Sequence, residues 1–146
     1  MVGLLQRVID ARVTVDGKTM GEIGQGLVVL IGIERSDNEQ KADRLLDRLL
    51  GYRVFADETG RMNLSLHQTG GGLLLIPNFT LVADTQKGMR ASFSPAATPG
   101  DGQRLFDYLD GLARMRHPRV QSGDFGAHMQ VALTNDGPVT FWLRVP

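Results

Sequence analysis

The stretch Leu5-Gln6-Arg7-Val8-Ile9-Asp10-Ala11-Arg12-Val13-Thr14-Val15 decides how the rest of the chain is read. Its odd positions are Leu5, Arg7, Ile9, Ala11, Val13 and Val15, while Gln6, Val8, Asp10, Arg12 and Thr14 stand at even ones. A period of two sends alternate side chains to opposite faces, so this is a strand with one buried face. Asp16-Gly17 follows, then Lys18–Ile23, the pattern of a hairpin closed by a primed turn. Residues 27–33 are apolar and β-branched almost throughout, which predicts a central strand covered on both sides.

Further along, Ser36 with Glu39 three residues later forms a capping-box pattern. Ala42, Leu45, Leu46, Leu49 and Leu50 then recur at helical spacing, predicting a helix that ends near Gly51. Residues 52–55 and 62–66 read as short strands around an Asp57-Glu58-Thr59-Gly60 turn. Gly70-Gly71-Gly72 reads as a turn into a strand at 73–76, which continues past Pro77 through 78–82. Residues 83–102 form a long surface connection, and loops of this length in compact domains tend to be functional. Asp101 is placed as the cap of a second helix carrying Leu105, Leu109 and Leu112, stopped by His117-Pro118. A final hairpin is expected, with strands at 128–134 and 139–145 around Asn135 to Pro138. These elements predict an α+β fold, a mainly antiparallel sheet or partly closed barrel with two main helices, and residues 1–146 as one domain.

Composition narrows the function. Sixteen Lys and Arg balance sixteen Asp and Glu, so no field of the whole molecule draws in a polyanion and any such partner needs a local patch. The chain has no cysteine, which excludes thiol catalysis, disulfide frameworks and cysteine-based zinc sites. Three scattered histidines without a His-Glu-x-x-His pattern argue against a metal centre. The Gly70-Gly71-Gly72 run lacks the Lys-Ser or Lys-Thr of a phosphate loop, and no Gly-x-Ser-x-Gly elbow is present. Neither a secretion signal nor a run of 18 apolar residues appears.

Three places break the local pattern, and functional sites are expected where patterns break. Arg7 falls on the apolar face of the first strand, where a guanidinium must find acceptors or snorkel to water. In Pro77-Asn78-Phe79-Thr80-Leu81, a resumed strand period puts the Asn78 amide and the Thr80 hydroxyl on one face; both could orient a carbonyl or water, or Thr80 could be an ordinary solvated strand residue. Asn135-Asp136-Gly137-Pro138 reads as a tight turn, or, were Gly137-Pro138 cis, as a device holding two carbonyls in fixed orientation.

In combination these segments resemble the D-aminoacyl-tRNA deacylase family. Phe79-Thr80-Leu81, Ala83-Asp84-Thr85, Lys87-Gly88, Ser92-Phe93-Ser94, Phe125-Gly126-Ala127-His128-Met129 and Asn135-Asp136-Gly137-Pro138-Val139-Thr140 carry the likeness. Gln6-Arg7-Val8, Val15-Asp16-Gly17 and Gly21-Glu22-Ile23-Gly24 extend it over essentially the whole chain. The resemblance implies a cytoplasmic homodimeric hydrolase that cleaves the ester between a D-amino acid and the terminal adenosine of tRNA, with no cofactor and no metal. It implies chiral selection by Gly137-Pro138 of one subunit placed in the pocket of the other, with Arg7 supporting that motif. It implies positioning roles for Thr80, Asn78 and Phe79 without a covalent nucleophile, the substrate's 2′-hydroxyl assisting, and Phe125 and Met129 as pocket walls. Glycyl-tRNA follows as a further substrate, since glycine has no side chain to reject. Here Pro77-Asn78 stand where members usually have Ser-Gln, Val82 replaces a common Tyr, and Met89 and Ala91 replace a common Arg and Pro. Neutral charge disfavours extensive phosphate contact but permits a small patch, for which Lys87, Arg90 and Arg53 are the candidates. Two readings compete: a noncatalytic tRNA-binding dimer of the same fold, and a conventional Ser or Thr esterase.

Overall fold

A computed structural model describes residues 1–146. Strand β1 (Val2–Val15) turns through Asp16 and Gly17, both at positive φ, into β2 (Lys18–Ile23), and β3 (Gly26–Gly32) follows. Helix α1 (Glu39–Gly51), the short strands β4 (Phe55–Ala56) and β5 (Met62–Leu64) and the one-turn helix α2 (Leu66–Thr69) lead to β6 (Gly72–Pro77). A 3-10 turn (Phe79–Val82), helix α3 (Pro99–Arg116), β7 (Val120–Ser122) and β8 (Gln130–Arg144) complete the chain.

The first strand organises the sheet. Its residues 2–8 pair antiparallel with β3 and its residues 11–15 with β2, while β8 runs antiparallel along the opposite edge from Val2 to Thr14. Beyond β3 lie β6 and β7, each joined in parallel. The sheet is therefore mixed, and it curls until its ends nearly meet as a barrel. A Cβ on Gly21 of β2 would stand 3.0 Å from the Cβ of Gln121 in β7. Gly26 and Gly72 let β3 and β6 approach, since a Cβ on Gly26 would lie 1.9 Å from the Gly72 carbonyl oxygen.

Both faces of β3 and β6 are covered, which is why their sequences run apolar without alternation. Leu27, Val29, Ile31, Leu73 and Leu75 pack with Leu45, Leu46 and Leu49 of α1 and Leu105 and Leu109 of α3. Val28, Leu74 and Ile76 pack inside the curl with Val8, Ala11 and Val13. No helix is long and apolar enough to cross a membrane.

Several local expectations are corrected. The C-terminal hairpin is instead one strand, β8, paired with β1 on both sides of Asn135 to Pro138. Gln6 pairs with Thr140 and Val8 with Asn135, so residues 136–139 bulge opposite Arg7 alone. The register shift reverses the parity of β1: Leu5 packs towards the helices, Val8 is buried inside the curl, and Ile9 is exposed rather than on a common apolar face. Residues 78–82 do not extend β6 but form the 3-10 turn. Residues 62–66 shorten to β5, and Ser65 caps α2 through a reciprocal box with Gln68. The cap of α1 is Asn38, not Ser36, and that of α3 is Thr98, with Asp101 inside the first turn.

Candidate functional site

Strand β6 ends at Pro77, whose ring offers no N–H for another ladder bond. The Asn78 N–H still donates to the Ile31 carbonyl at 2.8 Å before the chain enters its 3-10 turn. Asn78 caps that turn: its Oδ1 accepts from the Thr80 N–H at 3.2 Å and from the Thr80 hydroxyl at 2.5 Å. A backbone N–H can be received only by the amide oxygen. The orientation of the Asn78 amide is therefore set, and its NH2 is left as a free donor.

Asn78 and Phe79 line a cavity of about 390 Å³ together with Gln6, Leu30, Met129 and Leu133. Its polar side chains are two amides, Gln6 and Asn78, and the rest of its wall is apolar. Met129 fits there because residue 123 is glycine: a Cβ at Gly123 would lie 2.6 Å from the Met129 sulfur.

A second cavity of about 480 Å³ adjoins the first, sharing Phe79 and Gly126 and bounded by Arg35, Phe93, Ala96, Pro99 and Phe125. Phe79 meets Phe93 edge-on, ring centroids 5.0 Å apart. These rings are 59% and 46% exposed, so they present aromatic surface rather than filling the core. Phe125 leans on α3, where a Cβ on Gly102 would come within 3.0 Å of its Cζ.

Gly137 and Pro138 lie on the exposed β8 bulge and line neither cavity. The bond between them is cis, and Gly137 has φ +136, where an added Cβ would stand 2.8 Å from the Val139 nitrogen. Arg7 holds the bulge from beneath. Its Nε donates to the Asp136 carbonyl at 3.0 Å and lies 3.3 Å from the Asp136 carboxylate, while Nη1 donates to the Val54 carbonyl at 2.6 Å. The guanidinium has found acceptors instead of reaching for water.

The fold thus gathers Asn78, Phe79 and Met129 at one cavity and sets Phe125 in its neighbour, while Thr80 lines neither and is joined to the site only through its bonds to Asn78. Arg7, Gly137 and Pro138 form a separate group on the same protomer. Gln6, Phe93 and Arg35 line these cavities without having been assigned roles from sequence. Gln6 gave a usable signal, being an amide next to Arg7 on a strand, and consecutive strand residues face opposite ways.

A family model described as D-Tyr-tRNA(Tyr) deacylase matches residues 4–144. The chain belongs to this family. As a member of the deacylase family it is an ester hydrolase. The D-aminoacyl-tRNA deacylase of Thioalkalivibrio sulfidiphilus is 65% identical over 146 residues, covering 100% of this chain and 98% of the relative. That of Serratia proteamaculans is 59% identical over 145 residues, covering 99% of this chain and 100% of the relative. Among solved structures, one described as c-Myc DNA Unwinding Element Binding Protein superposes with TM-score 0.95 at 32% identity, covering 100% of this chain and 99% of that one. A probable eukaryotic D-amino acid tRNA deacylase shares the fold, with TM-score 0.84 at 17% identity and 97% of each chain covered.

Proposed function

We propose that the chain hydrolyses the ester of D-aminoacyl-tRNA, and of glycyl-tRNA, as a homodimer in which Gly137-Pro138 of each copy enters the amide-lined cavity of the other. The observation that carries this reading is the pair of adjoining cavities sharing Phe79 in a chain of this family. One offers amide donors to an ester, the other an aromatic slot to a terminal nucleobase. The mostly exposed β8, with Trp142 and Val131 turned outward, supports a second copy as its cover.

An aminoacyl ester needs little activation beyond placement and charge stabilisation. Water bonds to the carbonyl carbon, the bond to the 3′-oxygen breaks, and a proton passes from the water to that oxygen with the neighbouring 2′-hydroxyl as relay. The NH2 of Asn78, left free by the bonds its oxygen accepts from Thr80, would face the developing oxyanion. A neutral cavity wall supports assistance by the substrate over attack by the protein. Chirality is read by exclusion: rigid backbone beside the α-carbon leaves room for hydrogen and none for an L side chain.

Incubation with D-tyrosyl-tRNA and L-tyrosyl-tRNA should release only the D amino acid, and glycyl-tRNA should also be cleaved. Equal release from both enantiomers would remove the exclusion argument. Replacing the terminal 2′-hydroxyl by hydrogen should abolish turnover. The superposition on a structure described as binding DNA favours one further reading, a noncatalytic nucleic-acid-binding dimer. It predicts tRNA binding without cleavage of either ester.

A further inference from the structure

We infer that the loop between Asp84 and Ser92 receives the phosphodiester backbone of the single-stranded tRNA 3′ end just upstream of its terminal nucleotide, through Lys87 and Arg90. This rests on the ester-hydrolysis reading above. The loop is closed at its base, where Asp84 and Ser92 exchange N–H to carbonyl bonds at 2.8 and 2.9 Å. Gly88 turns it at φ 69, residues 85–91 are exposed, and Met89 is fully so.

Lys87 and Arg90 make no ion pair and no hydrogen bond, whereas Arg104, Arg114, Arg116 and Arg144 each hold a carboxylate. Asp84, the loop's one acid, turns its Oδ1 to the Gln86 N–H at 3.0 Å. Two unneutralised cations on a chain with no net charge form the kind of local patch that a polyanion requires.

Position selects the partner. Ser92 is followed directly by Phe93, a wall of the aromatic cavity. Arg90 precedes Phe93 by three residues, a span of at most about 10 Å. Stacked nucleotides advance about 3.4 Å each, so a strand whose last base occupies that cavity passes its preceding phosphates along this loop. Arg35, on the same wall, donates from Nε to the Ser94 carbonyl at 2.5 Å and has no carboxylate partner, so it reinforces the positive rim. Arg53, the third cation flagged from sequence, is bound to Asn63 through the backbone carbonyl at 3.0 Å and through the side chain, and takes no part.

The test compares D-tyrosyl-tRNA with 3′-O-D-tyrosyl-adenosine, which has no phosphate, over a range of potassium chloride concentrations. For the K87A/R90A double variant, KM for the tRNA ester should rise about tenfold, and the slope of log kcat/KM against log salt should flatten by about 1.4, two single-strand contacts of roughly 0.7 each. Hydrolysis of the adenosine ester should change by less than about twofold. Arg44→Ala, which removes an exposed cation of α1, should leave the salt slope as it is. An unchanged KM and slope for the double variant would overturn the inference, as would equal losses on both esters, which would make the loop a wall of the cavity. Failure of the unaltered protein to cleave either ester would strike the ester-hydrolysis reading instead.

Discussion

Arg7 donates to two carbonyls from different nitrogens of one planar group, and this geometry makes lysine a poor substitute. Arg7→Ala should cost about 1.5–3 kcal/mol, the range for hydrogen bonds to a charged group, and Arg7→Lys should recover little of it. Urea midpoints would measure both. If the bulge selects chirality, the ratio of D to L turnover should fall in the same variants. Asn78 and Thr80 invite a different comparison. The Thr80 hydroxyl is spent on the Asn78 amide oxygen, so Thr80→Ala removes a brace and keeps the backbone N–H. Its kcat should fall less than about tenfold, while Asn78→Ala loses both cap and donor and should fall about a hundredfold or more. Single-turnover rates with D-tyrosyl-tRNA read these effects directly. Total loss in Thr80→Ala with tRNA binding intact would place the hydroxyl in the chemistry.

The glycines of the elements separate into those that need the space and those that do not. Gly26 faces the Gly72 carbonyl oxygen across the β3–β6 ladder, and backbone cannot swing aside as a side chain can. Gly26→Ala should destabilise by about 1–3 kcal/mol or more. Gly111 lies within α3 with open space around it, so Gly111→Ala should stabilise by about 0.5–1 kcal/mol, as thermal melts of the two variants would show. Strands β1, β3 and β6 and both main helices are legible in the sequence because burial on one or both faces leaves a period or an apolar run, whereas the strand expected at 52–55 keeps only Phe55, in the two-residue β4. Two elements were misread for physical reasons. Asn135 to Pro138 has the chemistry of a turn, and only the long β1, which offers partners on both sides of it, keeps β8 continuous. Phe79 and Leu81 alternate with polar residues as a strand does, but Asn78 bonds forward to Thr80 and closes a 3-10 turn instead. Helix caps moved by two or three residues because Ser, Thr, Asn and Asp all serve in that role.

Across the molecule, the candidate site was legible as segments but not as an assembly. Asn78, Phe79 and Met129 converge only when β6 and the approach to β8 are folded together, and Gln6 joins them from β1. The two marked pKa shifts lie away from these cavities. Hydrogen bonding by Thr59 holds the Asp57 carboxyl below its usual value, so its stabilising contribution is present above the ordinary carboxylate range and lost as pH falls through the folded value. The hydrogen bond to Asp43 raises Tyr108, whose contribution is present below the ordinary tyrosine range and lost as pH rises through its folded value. Neither titrates near neutrality, so denaturant midpoints should be flat with respect to these two groups between pH 6 and 8. The sharper question is whether one protomer completes the site of another, since Gly137-Pro138 and the amide-lined cavity are separate on one chain. Gly137→Val puts a side chain where the Val139 nitrogen leaves no room, and should disable the bulge without touching the cavity. Asn78→Ala disables the cavity and leaves the bulge. Mixed one to one and allowed to exchange, half the dimers carry one copy of each variant, and in these one site joins an intact bulge to an intact cavity. The mixture should therefore recover about a quarter of the unaltered activity, and neither variant alone should recover any. Mixtures that stay as inactive as their components, with exchange verified by mass, would mean that each protomer works within itself.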